Sequence, residues 1–338
     1  MGLATPAAIA VGLGRAAKTG ILFRNATSLE TFKDIKQVVF DKTGTLTTGL
    51  FTIGNWQITN PSVNESEFKK IVFSLEKYSN HPIAKCISEA WKSKEQILWK
   101  NIEEVKGLGM QAEDKEGNRF IAGSYKTVAG LTKEDNHNVY ILRNGHFLGW
   151  IDVKDEIRPE AKRVIDYLHS KNIKTILLSG DRLAKCNELA VQLGIDTVIA
   201  EQTPEEKLNK IAELSAAAPT AMVGDGINDA PDGINDAPAL AKATIGISMN
   251  EASQIAVQSA QVILMNHGLK NLPTALGLGK HTYLTIKQNL FWAFAYNIVA
   301  IPVAAFGFLT PTFGALVMGM SDVVLAINSV RLFVKKVV

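Results

Sequence analysis

The sequence predicts an α/β protein: a doubly wound parallel sheet, interrupted by an inserted α+β domain and followed by a transmembrane helical hairpin. Three observations carry this expectation. Short β-branched, apolar runs end in Asp, Ser or Gly and alternate with segments of helical periodicity, as β-α-β units require. Between residues 49 and 150 the composition shifts to turn residues, charges and short strand-like runs. From residue 289 to 334 the chain is almost continuously apolar.

Composition narrows the classes of function. The chain has 338 residues, room for two or three domains. A formal net charge of +3 gives no reason to expect a nucleic acid partner. Two cysteines, Cys86 and Cys186, are too few for a disulfide framework and lack metal-ligating neighbours at close spacing, so both are expected as reduced thiols. The apolar start is interrupted at Arg15 and is too short to span a bilayer, which needs roughly 20 residues. No basic stretch precedes it, as a signal peptide requires. Residues 1–23 are expected to form the cytoplasmic end of a longer membrane helix.

In chain order, the Val-Val-Phe run at 38–40 is a strand that delivers Asp41 to the rim of a sheet. The Thr- and Gly-rich turn after it can aim backbone amides at a phosphate. Residues 49–150 then read as the inserted domain, with strands at 120–123 and 139–142. Within it, Glu76 and His81 lie five apart, and Gly107 and Gly109 form a G-x-G, followed by Gly123 and Ser124. Taken singly, His81 before a proline reads as a helix-end residue and the G-x-G as a turn. A strand at 148–152 and a helix over 156–171, with Ala161, Val164, Ile165 and Leu168 on one face, return the chain to the main sheet. The buried strand 173–178 ends in Ser179, Gly180 and Asp181, and the helix over 182–193 starts just beyond, its amides favouring an anion.

Thr203 and Pro204 open another helix, with acids at its positive end. Lys207 on that helix reads, on its own, as a solvated side chain. The strand at 221–223 leads through Gly224 to Asp225. There DGINDAP occurs twice in tandem, at 225–231 and 232–238. The first copy is favoured for a site, because Val223 and Gly224 precede it directly. Seven residues inserted in a helix turn its faces by only about 20°, but the Gly and Pro in each copy suit a loop or a helix start. Both Asp229 and Asp236 stand as the second acid, and an impaired site is the bland alternative. A strand at 260–264 and a stalk helix at 269–288 lead to apolar segments at 289–309 and 313–334, each the length of one crossing. Basic residues flank both outer ends, which places those ends in the cytoplasm.

Four motifs stand in order: DKTGTLT from Asp41, S-G-D from Ser179, P-x-x-K ending in Lys207, and G-D-G-x-N-D-x-P from Gly224. Together they resemble the heavy-metal P-type ATPases, over essentially the whole chain. The resemblance implies a haloacid-dehalogenase-like Rossmann phosphorylation domain at 24–48 and 151–268. It also implies a nucleotide-binding domain at 49–150, a stalk at 269–288 and membrane helices at 289–309 and 313–334. Asp41 is then the residue phosphorylated by ATP. Phosphatases of the haloacid-dehalogenase type carry a second acid where Thr43 stands, and Thr cannot hydrolyse the aspartyl-phosphate as that acid does. Ser179, Gly180 and Asp181 take the place of the family's T-G-D, and Lys207 offsets charge at Asp41. Mg²⁺ falls to Asp41, Asp225 and Asp229. The adenine of ATP falls to Glu76, His81, Gly107, Gly109 and Gly123, with Ser124 where the family has Asn.

For the transported ion the resemblance points to Tyr296, Asn297, Met318 and Ser321, as in copper pumps, which have a second Ser where this chain has Asp322. Copper(I) prefers sulfur, whereas a carboxylate is a harder ligand that keeps zinc, cobalt and iron open. The expected protein is a multi-pass plasma- or inner-membrane pump for a heavy-metal cation, Cu⁺ favoured, with its catalytic domains in the cytoplasm. The family's Cys-Pro-Cys helix and actuator domain precede the segment matched here, so a separate chain carrying that half is an expected partner beside the lipid bilayer. The alternatives are a soluble haloacid-dehalogenase phosphatase and an inactive, truncated nucleotide-binding membrane protein.

Overall fold

Alternation of strand and helix signals resolves into two sheets that belong to two separate units, one made of Thr47–Ile157 and the other of the chain on either side. The structure, a computed structural model, describes residues 2–105, 107–224, 237–249, 254–265, 268–308 and 310–337. The tandem DGINDAP, with Asp225, Asp229 and Asp236, lies outside the described residues except for Ala237 and Pro238.

The chain starts with α1 (Ala4–Lys18), whose Ala4, Ala8, Gly12 and Ala16 form a buried stripe four residues apart. A Cβ on Gly12 would meet Thr282 Oγ1 at 2.6 Å, so only glycine admits that approach. Strand β1 (Ile21–Phe23) follows, then α2 (Ala26–Thr31), capped by the Asn25 side chain, and β2 (Gln37–Phe40). The expected helix end at 1–23 is thus a helix and an edge strand.

The inserted unit runs β3 (Thr47–Ile58), α3 (Glu65–Glu76), α4 (Pro82–Ala90), β4 (Trp99–Val105), β5 (Gly109–Asp114), β6 (Arg119–Gly123), β7 (Val139–Arg143) and β8 (His146–Ile157). Its sheet is antiparallel, in the order β3-β8-β7-β6-β5-β4. Phe68, Ile71, Val72 and Leu75 from α3 and Ile87 from α4 pack with Met110, Phe120, Ile141 and Ile151 from the sheet. Tyr140 and Leu142 point the other way, into a second cluster with Val128.

Beyond the insert come α5 (Ala161–Ser170), β9 (Lys174–Leu178), α6 (Leu183–Leu193), β10 (Thr197–Ile199), α7 (Pro204–Ala217), β11 (Thr220–Gly224), α8 (Ala237–Lys242), β12 (Ile245–Met249), α9 (Gln254–Ser259) and β13 (Val262–Leu264). With β1 and β2 they form a sheet ordered β1-β13-β12-β11-β2-β9-β10, parallel except for β1. Val38, Val39 and Phe40 are wholly buried at its centre, and each contributes about 1.5–3 kcal/mol by burial. Parallel strands put their carboxyl ends on one edge, where α/β sheets hold ligands.

Last come α10 (Leu272–Ala305) and α11 (Pro311–Val330). The expected stalk and first crossing are one continuous 34-residue helix. Among the described residues, one stretch, Gly314–Phe333, is long and apolar enough by length and composition to cross a membrane. The α10 half is diluted by Gln288, Asn289, Tyr296 and Asn297. Asn289 explains part of that polarity: its amide donates to Ala4 O and Ser329 Oγ, and Asn328 donates to Asn289 Oδ1 at 2.8 Å, tying α1, α10 and α11 together.

Candidate active site

Register brings the first group of predicted residues together. Phe40 in β2 pairs with Leu177 in β9 and with Val223 in β11, so Asp41 and Ser179 leave adjacent strand ends at nearly the same level. Asp41 is buried, and its amide donates to Val223 O at 3.0 Å. The turn Lys42–Leu46 follows, with Thr43 at φ −72°, ψ 132° and Gly44 at φ 72°, ψ −12°. Those angles make a type II turn, whose third position requires a positive φ and hence glycine. Arg158 holds this turn by donating to Gly44 O at 2.9 Å.

Lys207 reaches Asp41 from α7, Nζ to Oδ1 at 2.7 Å, and is itself buried. The solvated-lysine reading fails because the helix start is fixed elsewhere. Thr203 and Glu206 form a reciprocal capping box, with Pro204 in the first turn, and this aims Lys207 inward. Ser179 is buried, its amide bonded to Ile199 O and its hydroxyl accepting from Asp181 N at 3.1 Å. Asp181 pairs with Lys42, and Gly180 joins it to Ser179. Burial pushes the Cys186 thiol up, with the nearby Asp181 and Asp41 adding to it against the opposing Ser179 and Lys42. The arrangement is a buried carboxylate beside a fixed cation, with a hydroxyl and a second ion pair alongside. Asp41 provides one hard oxygen of the kind Mg²⁺ prefers, and the Thr45 hydroxyl, fully buried, has no partner among the described residues.

The second group lies within the inserted unit. Glu76, His81, Gly107, Gly109, Gly123 and Ser124 all line one cavity of about 660 Å³, together with Ser79, Glu104 and Asn138. Glu76 closes α3 and is only 5% exposed; burial first, then the neighbouring Glu104, pushes its carboxyl up to about 8. It is therefore a neutral acid at pH 7, and no hydrogen bond reaches its carboxyl among the described residues. His81 caps α4, its Nδ1 accepting from Ile83 N at 3.2 Å, so it is a helix-end residue and a cavity residue at once. At Gly109, φ is +128° and a Cβ would sit 2.2 Å from Ala122 O. Ser124 donates its hydroxyl to Gly107 O at 3.1 Å, which braces the G-x-G segment.

The third group sits between α10 and α11. Tyr296, Asn297, Met318, Ser321 and Asp322 line a cavity of about 650 Å³, and Asn297 donates to Ala293 O. Asp225 and Asp229 lie outside the described residues. Sequence reasoning missed Thr45, Arg158 and Glu104. Thr45 stood inside DKTGTLT and was legible; Arg158 and Glu104 gain their roles only through long-range folding.

Comparisons with known proteins show the family. The haloacid dehalogenase-like hydrolase family profile matches residues 35–231, more than half of the chain. The chain is 36% identical over 348 residues to a copper-exporting P-type ATPase B of Archaeoglobus fulgidus, covering 97% of this chain and 49% of the relative. It is 37% identical over 352 residues to a copper-exporting P-type ATPase of Staphylococcus haemolyticus, covering 98% and 42%. The chain thus spans about half the length of the curated relatives it matches or less. The crystal structure of a zinc-transporting PIB-type ATPase in its E2.Pi state superposes with a TM-score of 0.79 at 29% identity, covering 98% of this chain and 55% of that one. With its sheet order, its buried Asp41–Lys207 pair and this likeness to heavy-metal P-type ATPases, the chain belongs to the haloacid dehalogenase-like hydrolase family.

Proposed function

We propose that this chain binds ATP and is phosphorylated on Asp41, as the energy-transducing part of a heavy-metal cation pump. The observation that carries the reading is Asp41 itself: a buried carboxylate at a central strand end, paired with Lys207 at 2.7 Å and followed by Thr43 rather than a second acid. An Asp41 oxygen bonds the γ-phosphorus while the bond from that phosphorus to the β–γ bridging oxygen breaks, and ADP leaves with the electron pair. Lys207 and the Ser179 hydroxyl balance charge on the transferring group. Asp41, with Asp225 and Asp229, would hold a Mg²⁺ that, when bound, would further neutralise the phosphates. Thr43 offers no acid–base group, so the acyl-phosphate persists.

The adenine enters the cavity of the inserted unit. A neutral Glu76 carboxyl has one donor and one acceptor, the complement of adenine N1 and its exocyclic N6 amine. Gly107, Gly109 and Gly123 leave room for the ring, and His81 offers a stacking face.

For the cargo, Tyr296, Asn297, Met318 and Ser321 form the proposed intramembrane site, with residues 289–309 and 313–334 as two crossings of a bilayer. Copper(I) stands first, on Met318 and on the copper-exporting relatives. A second chain or segment with the remaining helices would complete the pathway. The test sets the pump against the phosphatase alternative: incubate the chain with Mg²⁺ and either labelled ATP or p-nitrophenyl phosphate. The reading expects an acid-stable phosphoprotein from ATP and negligible ester turnover. Rapid ester turnover with no persisting label favours the phosphatase.

A further inference from the structure

A further cavity, of about 550 Å³, opens where the phosphorylation unit meets the base of α10, and Asp41 is not among the residues that line it. Four segments supply its walls: Phe32, Lys33, Ile35 and Lys36 before β2, the end of α5 with Tyr167 and Lys171, α10 with Lys280 and His281, and Val337. Four lysines and a histidine line it, and no Asp or Glu does among the described residues. The whole chain carries only +3, so this concentration is local.

Two of the cations are held in place by aromatic rings. Lys33 Nζ lies 4.4 Å from the Tyr283 ring centroid, and Lys171 Nζ lies 5.1 Å from that of Tyr167. Asp34 pairs with Lys33 but is half-exposed. The field is strong enough to act on a neighbour: His281 is pushed down, first by burial and then by Lys335, Lys280, Arg15 and Lys171. Its Nδ1 is buried and has no hydrogen-bond partner among the described residues. Positive potential from several separate elements and a volume large enough for several heavy atoms together describe a receptor for an anion.

We propose that this cavity binds a phosphate-bearing anion at the junction of the phosphorylation unit and the stalk. Phosphate suits it because its oxygens accept from several ammonium groups at once and carry enough charge to offset their mutual repulsion. Two sources carry that group. Lys280 lies nine residues before Asn289 in α10, about 13–14 Å at the helical rise. The headgroup layer is roughly 5–8 Å deep on each side of the hydrocarbon. If residues 289–309 are embedded as proposed above, a phosphodiester at the bilayer surface falls short, whereas a headgroup with a distal phosphate or a soluble polyphosphate reaches. Only the lipid source rests on the membrane reading.

The experiment follows His281 by imidazole NMR in the whole chain in phosphatidylcholine nanodiscs. One arm adds inositol hexakisphosphate; the other replaces part of the lipid with a phosphoinositide. Binding should raise the His281 titration midpoint by about one unit, since one pKa unit is about a tenfold preference between protonation states. The triple variant Lys33→Gln, Lys171→Gln, Lys280→Gln changes exposed or half-exposed groups and should weaken binding at least about tenfold. A shift in the first arm alone identifies a soluble ligand, and a shift in the second alone a lipid. No shift in either arm of the wild-type chain overturns the proposal, whether or not the variant folds, and so does an undiminished shift in a folded variant. ATP binding and Asp41 labelling are read independently, so their failure leaves this result intact.

Discussion

The centre at Asp41 and the cavity at Glu76 handle charge in opposite ways. At Asp41 each charge named has an opposite close by: buried Lys207 against buried Asp41, and partly exposed Lys42 against Asp181. At Glu76 a carboxyl is buried beside another carboxyl, and the local chemistry keeps it protonated. The first arrangement suits a group that arrives bearing several negative charges. The second suits an uncharged base read by hydrogen bonds. The proposed phosphoryl transfer and base recognition would thus use different dielectric designs, one in each of the two units.

Breaking the pair at Asp41 should have the largest effect. Lys207→Met leaves a buried carboxylate without its 2.7 Å partner, which costs about 3–5 kcal/mol of stability in the surrounding unit. The initial labelling rate should fall by about 10²–10³-fold. Thermal unfolding and acid-quenched labelling check the two parts. Next, Gly109→Ala should strain φ +128° and force a contact with Ala122 O. It should destabilise the inserted unit by about 1–3 kcal/mol and weaken ATP binding, read by unfolding and by nucleotide titration.

Glu76 sharpens the comparison through pH. Its folded carboxyl titrates near 8 and its unfolded one near 4.5, so between these values the folded state holds more protons. Stability from this group is complete below about 4.5 and declines as pH rises to about 8. Glu76→Gln keeps one donor and one acceptor, so it should retain ATP affinity at pH 7. It should also remove the loss of affinity that ionisation of Glu76 predicts for the wild type above pH 8. Titrations from pH 6 to 9.5 with ATP and GTP would reveal this, and an unchanged pH profile in the variant would refute the neutral-acid role. The smallest effect belongs to Thr203→Ala, which removes the cap that orients α7 and should cost about 1 kcal/mol in the unfolding free energy, with only a mild loss of labelling.

Much of this was readable before the fold. The strand before Asp41, the turn chemistry after it and the S-G-D at a strand end are local signals, and β2, Gly44 and β9 follow them closely. The glycines of the inserted unit were legible as residues but not in their reason, because the tight approach of Gly109 to Ala122 is a cross-strand contact. Lys207 looked solvated because burial is a property of the sheet it packs against. The protonation of Glu76 depends first on its burial and then on Glu104, from a strand that follows α3 by more than twenty residues. Strand β1 was hidden because three residues carry too little periodicity, and the stalk merged with the following apolar helix because no breaker separates them.

The measurement that tests the central claim most directly is phosphorylation of Asp41. The detergent-solubilised chain is incubated with γ-labelled ATP and Mg²⁺, quenched in acid, treated with hydroxylamine, and compared with Asp41→Asn. The account predicts hydroxylamine-labile label that maps to Asp41 and is absent from the variant. A folded wild-type chain that binds ATP yet takes no label, or label that survives in Asp41→Asn, would contradict it.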